Sequence, residues 1–587
     1  MRHLLKLISI CALAITTVSS AAVLPSNPFE NTLKKRQSSG QNSLTVDLGY
    51  SVYIGVQNTT TGINNFKGSS PIQANRFGPQ CPQSPLSSGT PVNVTAGLSD
   101  EDCLYLNVYA PANASSLPVL VWIHGGGYGA GNGQENLNLI IAANNNSFVG
   151  VSIQYRLGAF GFLSSDEVFR EGVVNAGILD QFFALQWVQA HISLFGGDPT
   201  RVTISGESAG GGSVMLQTMT YGGTMGTSLF KNAIAASPYL PLQYGYKDWI
   251  PSQAYYAFAV QAGCTPTTAY GGTVDTIFQC LLKQNTTTLQ AASFNVSGSG
   301  LFGTWGFLPV TDGVFIQRLP SQQLVQKQVN GLNLLIGNNA NEGAPFTPQN
   351  INTEDALVAW LARTFPSFTD DDLAKILLYY PSSNTTDDPN ATKFATLGNA
   401  GPTALNESQV GTGQQQRADN IYAETTFVCP SYWMAESFSD KGRTSYKYQY
   451  SVPVATHGAD VTGYFGPAAP DQGPDFELAF TTIWGNFITK DNPSISNAVA
   501  NGASSNNTSD NPASSWPPFN IYAPFQINLN ETGGVPFSIP STGGANVTEF
   551  EEPGMTNDIT LVNAYTWEGG RGFRCDFWRS MGVIVPE

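Results

Sequence analysis

Residues 195–210 read Phe195-Gly-Gly-Asp-Pro-Thr-Arg-Val-Thr-Ile-Ser-Gly-Glu-Ser-Ala-Gly210, and they combine three local patterns. Val202–Ile204 is apolar and β-branched, which predicts a short buried strand. The Gly-Glu-Ser-Ala-Gly sequence that follows predicts a sharp turn with Ser208 at its apex, and Gly211–Met219 can continue as a helix. A strand, a tight turn and a helix in this order form a nucleophile elbow, which exposes a serine hydroxyl at the edge of a sheet.

A serine hydroxyl is a weak nucleophile at neutral pH, so Ser208 needs a general base, a carboxylate that orients the base, and donors for an oxyanion. In chains with this elbow the histidine follows the serine. The chain has four histidines, and only His457 follows Ser208. His457 also lies in a short Gly-containing loop, residues 456–460, and is therefore the predicted base.

The acid is less well determined by the residues. Glu342 follows the strand predicted over Leu332–Ile336, and the ends of strands are where sheets of this kind carry reacting groups. A buried glutamate there could accept a hydrogen bond from His457 and fix its tautomer. On placement alone, Asp312 and Asp460 remain alternatives to Glu342.

A run of three glycines predicts the oxyanion donors. Gly125, Gly126 and Gly127 follow the apolar strand predicted over Leu117–Ile123, and no side chain obstructs their backbone N–H groups. The N–H of Ala209, directly after the serine, completes the arrangement expected beside a nucleophile elbow.

Short apolar strands alternate with helical segments through the first two thirds of the chain. This alternation predicts an α/β fold with a large, mostly parallel, doubly wound sheet flanked by helices, with long insertions rather than separate modules. Beyond Glu342 the sequence is helical and loop-rich, with a late strand at Ser445–Tyr450 and a low-complexity loop over Asn497–Ser515. The strands predicted before Glu342 lie at Leu117–Ile123, Val149–Tyr155, Val202–Ile204, Asn232–Ala236 and Leu332–Ile336, and the main helices at Ile178–Phe195 and, later, Phe476–Ile488.

The charge balance limits the partners. The 587 residues carry a formal net charge of −16, and only 12% of them are charged. Nucleic acids and anionic membranes bind basic patches, so neither is an expected partner. Low charge together with many Asn-x-Ser/Thr sequons is typical of a secreted glycoprotein.

The N-terminus has the pattern of a secretory signal peptide over residues 1–21, with basic residues, an apolar run at Leu7–Val18 and a small-residue cleavage site. Lys34-Lys-Arg36 predicts a processing site, which makes 22–36 a propeptide and 37–587 a single catalytic domain. The apolar run is too short to span a membrane and no other stretch approaches that length, so no stable membrane insertion is expected.

Six of the seven cysteines remain once Cys11 leaves with the signal peptide, an even set that suits a disulfide framework in an extracellular protein. Their pairing cannot be deduced from the residues alone. No Cys-x-x-Cys motif or His–Cys cluster is present, so neither a metal nor an organic cofactor is expected.

Two long patterns are similar to the type-B carboxylesterase/lipase family, which includes the cholinesterases. One is Phe195–Gly210 as quoted, and the other is Glu101-Asp-Cys-Leu-Tyr-Leu-Asn-Val-Tyr-Ala-Pro111. The resemblance covers about Val46 to Trp578, because shorter matches continue at Gln154–Leu163, Leu179–Gln181, Ala184–Val188, Asn341–Gly343 and Trp484–Phe487.

The resemblance implies an α/β-hydrolase fold and a serine carboxylesterase that acts through an acyl-enzyme. It implies the triad Ser208, Glu342 and His457, with Gly126, Gly127 and Ala209 as the oxyanion donors. It also implies that Glu207 and Ser237 support this triad, Ser237 by a hydrogen bond to the acid. The implied disulfides are Cys81–Cys103, Cys264–Cys280 and Cys429–Cys575, and Arg76 and Glu101 resemble a structural ion pair.

Three functional classes follow from the resemblance. The loop between Cys81 and Cys103 has no amphipathic helix that could form a lipase lid and no tryptophan that could bind a quaternary ammonium. We therefore expect an esterase for soluble short- to medium-chain esters. A secreted lipase or sterol esterase for long-chain esters is the main alternative, and a non-catalytic cholinesterase-like binding protein is a remote one. The natural ester and the oligomeric state are not defined by the residues.

Overall fold

A computed structural model of the chain describes residues 43–48, 51–67, 74–88, 99–265, 275–381, 408–541, 546–582 and 584–585. All of them belong to one unit, Asn42–Glu587. The predicted signal peptide (1–21) and propeptide (22–36) lie outside the described residues.

The described strands form a single sheet of twelve, in the spatial order β1-β2-β3-β4-β6-β5-β7-β8-β9-β10-β11-β12. The seven strands from β6 to β11 are parallel, and antiparallel pairs extend the sheet at both edges. This confirms the expected large, mostly parallel sheet. The strands are β1 Ser43–Asp47, β2 Val52–Gln57, β3 Ile63–Lys67, β4 Leu106–Pro111, β5 Leu117–Ile123, β6 Val149–Ile153, β7 Gly197–Glu207, β8 Asn232–Ala236, β9 Asn333–Asn339, β10 Thr444–Tyr450, β11 Phe525–Pro540 and β12 Asn546–Asn563.

Helices cover both faces of this sheet. Their bounds are α1 Asn138–Ala143, α2 Gly158–Phe162, α3 Asp166–Glu171, α4 Ala176–His191, α5 Ala209–Met219, α6 Trp249–Gln261, α7 Ile277–Leu281, α8 Thr286–Gly298, α9 Pro320–Val325, α10 Glu354–Thr364, α11 Asp370–Tyr379, α12 Gly413–Ala423, α13 Cys429–Ser437, α14 Val461–Phe465, α15 Pro474–Lys490, α16 Asn497–Ala500 and α17 Trp567–Met581. A π-helical turn, Glu424–Val428, joins α12 to α13.

The central strands are apolar on both faces because each face meets its own layer of helices. In β5, Val119, Val121 and Ile123 belong to the core on the side of α4 and α5. The alternate residues, Leu120 and Trp122, belong to the core on the side of α1 and α15. A continuous apolar run without alternation is therefore the signature of this strand, and the sequence predicted its bounds correctly.

Backbone crowding fixes the elbow between β7 and α5. A Cβ atom added to Gly210 would lie 2.0 Å from the carbonyl oxygen of Ile123 in β5. One added to Gly206 would lie 2.3 Å from the backbone of Gly210. Only glycine fits at these two positions, so the helix can start directly against the neighbouring strand.

The late part of the chain differs from the sequence expectation. β11 and β12 form a long antiparallel hairpin that the sequence analysis did not predict. The register shifts at the centre of this hairpin, where Gly533, Gly534 and Gly554 lie. Glycines are uncommon inside strands, so the sequence pattern of this segment is that of a loop. Asn497–Ser515, predicted as a loop, contains the short helix α16 and two 3₁₀ turns.

Three disulfides lie in the described part of the chain: Cys81–Cys103, Cys264–Cys280 and Cys429–Cys575. They are the three pairs that the resemblance implied. The third joins α13 to α17 and closes a loop of 146 residues, the longest of the three.

A buried ionic network also holds α17. Glu424 is fully buried in the π-helical turn, and its carboxylate accepts bonds from the Arg574 guanidinium at 2.6 and 2.7 Å and from Arg571 at 3.2 Å. The hydroxyl of Tyr380 donates to the same carboxylate at 2.5 Å. Burial alone would raise the pKa of Glu424, but the two arginines outweigh it and lower the pKa below its ordinary value.

We expect the substitution Glu424→Gln to destabilise the fold by about 3–5 kcal/mol, because it leaves two buried guanidinium groups without their counter-charge. Thermal or denaturant unfolding measures this loss. The matched control is Asp166→Asn, which breaks an exposed ion pair with Arg170 and should cost at most about 1 kcal/mol. Equal stability of the two variants would contradict a structural role for the buried network.

Candidate active site

Three side chains from distant parts of the chain form one hydrogen-bonded line. The Nε2 of His457 lies 2.8 Å from the Oγ of Ser208, and its Nδ1 lies 2.6 Å from the Oε2 of Glu342. These are the serine, base and acid that the sequence analysis named. Glu342 occupies the orienting position, whereas Asp312 and Asp460 do not.

Ser208 lies at the apex of the elbow with φ 58° and ψ −125°, a conformation that costs a non-glycine residue free energy. Two backbone hydrogen bonds hold it there. Its N–H donates to the carbonyl of Ala236 at 3.1 Å, and its carbonyl accepts from the N–H of Tyr239 at 2.9 Å. Hydrogen bonds to the end of β8 and the residues that follow it thus stabilise the strained turn.

Glu342 is fully buried, and each of its oxygens has a donor. Oε1 accepts from the hydroxyl of Ser237 and from the backbone N–H of Asn339, both at 2.5 Å. Oε2 faces Nδ1 of His457. Donors on both oxygens stabilise the ionised carboxylate despite its burial. Ser237 therefore contacts the acid.

The imidazole of His457 is held on its faces by aromatic rings. The ring of Phe427 lies 4.3 Å from it between centroids, and Phe346 meets it edge-on at 5.1 Å. This packing leaves the ring nitrogens directed at Ser208 and Glu342. The sequence analysis named neither phenylalanine, because their contact with His457 exists only in the tertiary structure.

Glu207 brings a second carboxylate to the same imidazole. Its Oε1 lies 3.3 Å from the Nε2 of His457. Burial disfavours the charged imidazolium, but Glu207 and Glu342 together outweigh it and raise the pKa of His457 to about 9. Burial raises the pKa of Glu207 itself to about 7, with His457 opposing this rise and Glu342 adding to it.

The glycine loop after β5 lies beside the elbow. A Cβ on Gly125 would be 3.0 Å from the Cβ of Ser208, so the two backbones are in contact. Gly126 and Gly127 have φ of 99° and 62°, and the carbonyl of Gly126 accepts from the N–H groups of Gly129 and Ala130. Ala209 is the first residue of α5, where an N–H has no acceptor within the helix. Gly125 and Ala209 thus lie directly beside Ser208, and Gly126 and Gly127 follow Gly125 in the same loop.

The two carboxylates named as alternatives for the acid have other hydrogen-bond partners. Asp312 caps a turn, where its Oδ1 accepts from the N–H groups of residues 314–316 at 2.7 to 3.1 Å. Asp460 is fully buried in the loop that carries His457, and its Oδ1 accepts from the Nδ2 of Asn339. The expected pair of Arg76 and Glu101 is not formed within the described residues, because both are exposed and Glu101 accepts from the hydroxyl of Thr286.

An apolar cavity of about 220 Å³ lies next to these groups. Trp305 and Tyr239 line it on the side of Ser208, and their rings lie 5.4 Å apart. The Trp305 indole also lies against the glycine loop, since a Cβ on Gly127 would be 2.0 Å from it. The Trp305 indole therefore lies between the glycine loop and the cavity. The other walls include Leu242, Ile250, Ala254, Phe307, Val310 and Phe365.

Neither a metal-binding group nor a membrane-spanning segment is found in the described ranges. No three His, Cys, Asp or Glu side chains there are grouped so that they could hold a metal ion. No helix among those residues has the length and apolarity needed to cross a membrane.

Comparison with known proteins gives consistent matches. A family model described as "Carboxylesterase family" matches residues 64–536. Lipase 2 of Geotrichum candidum is 32% identical over 439 residues, covering 67% of this chain and 73% of that protein. A liver carboxylesterase of Sus scrofa is 31% identical and covers 67% and 70%. A secreted lipase of Arthroderma benhamiae is 28% identical and covers 76% and 81%.

Among solved structures, the crystal structure of Aspergillus niger EstA superimposes with a TM-score of 0.70. The match covers 93% of this chain and 99% of that one, at 23% identity. A structure described as PNB esterase superimposes with a TM-score of 0.61 at 22% sequence identity. At these identities the likeness concerns the fold.

We expect the imidazole of His457 to titrate near pH 9, above the ordinary value of 6.5. Glu207→Gln should lower this pKa because it removes the negative charge that lies 3.3 Å from Nε2. Histidine NMR on isotope-labelled protein measures both values. The signals of His124 and His191 serve as internal controls and should not move. An unchanged titration of His457 in the variant would contradict the coupling to Glu207.

Proposed function

We infer that this chain, which belongs to the carboxylesterase family and is a carboxylic ester hydrolase, cleaves its esters through an acyl-enzyme on Ser208. The observation that carries this proposal is the continuous line of hydrogen bonds Ser208–His457–Glu342, at 2.8 and 2.6 Å. Such a line supplies the nucleophile, its base and the group that fixes the base.

In the proposed reaction the Oγ of Ser208 attacks the ester carbonyl while the Nε2 of His457 takes its proton. The N–H groups of Gly126, Gly127 and Ala209 stabilise the oxyanion of the tetrahedral intermediate. When that intermediate collapses, the C–O bond to the alcohol breaks and His457 returns the proton to the leaving alkoxide. A water molecule, deprotonated by His457, then attacks the acyl-enzyme and releases the carboxylic acid and Ser208.

In this scheme Glu342 fixes the tautomer of the imidazole and stabilises its charged form. Its Oε2 accepts from Nδ1–H, so Nε2 carries the lone pair directed at Ser208. The carboxylate then stabilises the imidazolium that forms as Ser208 attacks. Because only the neutral imidazole can accept the proton, the rate falls as the pH drops through the titration of His457. The raised pKa of His457 places this fall above the pH of an ordinary histidine.

The substrate side of the proposal rests on the aromatic wall beside Ser208. Phe346 and Phe427 pack against His457, and Trp305 contacts Phe346 and lines the apolar cavity. Large rings close to the base favour a compact acyl group, which supports soluble short- to medium-chain esters. The lipase alternative keeps one supporting fact, since two of the relatives are named lipases. The Cys81–Cys103 loop, where a lipase lid would lie, includes residues 89–98, which are outside the described residues.

We also propose that the protein is a secreted glycoprotein. The three disulfides suit an oxidising compartment, and one relative is named a secreted lipase. Several sequon asparagines are exposed and accessible to glycosylation: Asn113, Asn145, Asn285, Asn295, Asn506, Asn507 and Asn546. The non-catalytic alternative has no support from the site, because each group that the chemistry requires is present.

Ser208→Ala should abolish ester hydrolysis, with a loss of about 10⁴-fold or more in kcat, because no other hydroxyl is activated by His457. Labelling with an organophosphate, followed by peptide mass spectrometry, should place the adduct on Ser208 in the wild-type protein and nowhere in the variant. Thermal unfolding of Ser208→Ala serves as the control for folding. A label on another residue, or full turnover in the variant, would contradict the acyl-enzyme.

Trp305→Ala should shift preference toward longer acyl chains, because it removes the indole that lies between the glycine loop and the apolar cavity. The ratio of kcat/KM for p-nitrophenyl octanoate to that for the butyrate should rise by about tenfold or more, as expected when several methylenes gain an apolar pocket. Phe183→Ala, a truncation of an exposed ring on α4, is the control and should leave the ratio unchanged. An unchanged octanoate-to-butyrate ratio in Trp305→Ala would contradict the role of Trp305 in limiting acyl-chain length.

A further inference from the structure

Asp460 is a buried carboxyl that the proposed reaction does not use. It lies three residues after His457 and has no exposed surface. Its Oδ1 accepts from the Nδ2 of Asn339 at 3.2 Å. Its Oδ2 is buried and has no hydrogen-bond partner among the described residues. A carboxylate with one unpaired oxygen in a dry interior is costly, so this group calls for a physical explanation.

Asn339 connects Asp460 to both loops of the site. Its backbone N–H donates to Oε1 of Glu342 at 2.5 Å. Its side-chain amide donates to the carbonyl of Thr456, directly before His457, at 2.9 Å, as well as to Asp460. One asparagine thus ties the residue that carries the acid to the loop that carries the base, and Asp460 is the acceptor that fixes the orientation of its amide.

The charges around Asp460 favour its neutral form. Glu207 at the end of β7, Glu342 after β9 and His457 on its own loop all act on it electrostatically, and so do Tyr448 of β10 and Tyr464 of α14. Burial, followed by the two glutamates, raises the pKa of Asp460 from 3.8 to about 8, against the opposing effects of Asn339 and His457. The hydroxyl of Tyr464 is also buried without a partner among the described residues.

We propose that Asp460 is a positioning residue, a buried neutral carboxylic acid that fixes the His457 loop through Asn339 and leaves Glu207 as the single anion on the Nε2 side of His457. This inference rests on the proposed function of His457 as the base. An ionised Asp460 would be a third carboxylate around one imidazole. It would hold the imidazole in its charged form, which cannot accept the proton of Ser208.

The first test compares Asp460→Ala with Asp460→Asn by steady-state hydrolysis of p-nitrophenyl butyrate as a function of pH. The alanine variant loses the acceptor for Asn339, and we expect kcat to fall by about tenfold or more through displacement of His457. The asparagine variant keeps a neutral acceptor of the same shape, so it should recover most of that loss.

The acid limb of the kcat/KM profile separates positioning from a direct charge effect. In Asp460→Asn the limb should move less than in Glu207→Gln, because Asp460 contacts the His457 loop through Asn339 whereas Glu207 lies 3.3 Å from the Nε2 of His457. In Glu207→Gln, the positive control, it should move to lower pH. A downward shift in Asp460→Asn equal to that in Glu207→Gln would show that Asp460 acts on the imidazole as a direct charge and not by positioning, and would overturn the proposal. Wild-type kcat in Asp460→Ala would overturn it as well.

Unfolding gives a readout that does not depend on catalysis. A carboxyl with a raised folded-state pKa costs stability as the pH rises from its unfolded value, 3.8, to its folded value, about 8, and the cost is then constant. The difference in Tm between Asp460→Asn and the wild type should therefore grow in favour of the variant across this window. A flat difference would overturn the neutral state of Asp460. Failure of Ser208 to take the organophosphate label would instead refute the proposed function and leave this stability result standing.

Discussion

The parallel alignment of neighbouring strands is the constraint on which this molecule depends. All the strands from β6 to β11 run in one direction, so the loops after their carboxyl ends meet at a single edge of the sheet. The glycine loop follows β5, Ser208 follows β7 and Ser237 follows β8. Glu342 comes three residues after β9, and His457 comes seven residues after β10. Ser208 and His457, which are 249 residues apart in the chain, therefore lie within hydrogen-bond distance of each other.

The edge of the sheet concentrates carboxyl groups around one imidazole. Glu342 is fully satisfied by donors, and Glu207 approaches the opposite ring nitrogen. Each lies in a water-excluded interior, where opposite charges interact strongly and unpaired ones are costly. Burial raises the pKa values of Glu207 and Asp460, whereas the nearby carboxylates outweigh burial and raise the pKa of His457, so the protonation state of one depends on the others. The proposed base is consequently tuned by a cluster of groups and not by a single partner.

Aromatic side chains pack closely around this edge of the sheet. Phe346 and Phe427 pack on the ring of His457, and Trp305 lies between the glycine loop and an apolar cavity. The π-helical turn that carries Phe427 also carries Glu424, which is bound to arginines of α17. The stability of the C-terminal helix and the shape of the proposed substrate site are thus connected through five residues of one turn.

The sequence by itself determined the parts that are local. The elbow around Ser208, the bounds of β5 and β8, and the mostly parallel sheet follow from short-range patterns, because apolar runs and glycine spacing act over a few residues. Elimination among four histidines was enough to select His457. The choice of Glu342 over Asp312 and Asp460 needed either the family resemblance or the structure, since all three are acidic residues in loops or at element ends. Only the tertiary structure decided the rest. It showed the β11–β12 hairpin, in which glycines interrupt the strand pattern. It also showed the contacts of Trp305, Phe346 and Phe427, and the bridge from Asn339 to Asp460. These features are made by residues far apart in the chain, and their physical content, distance and burial, does not exist until the chain is folded.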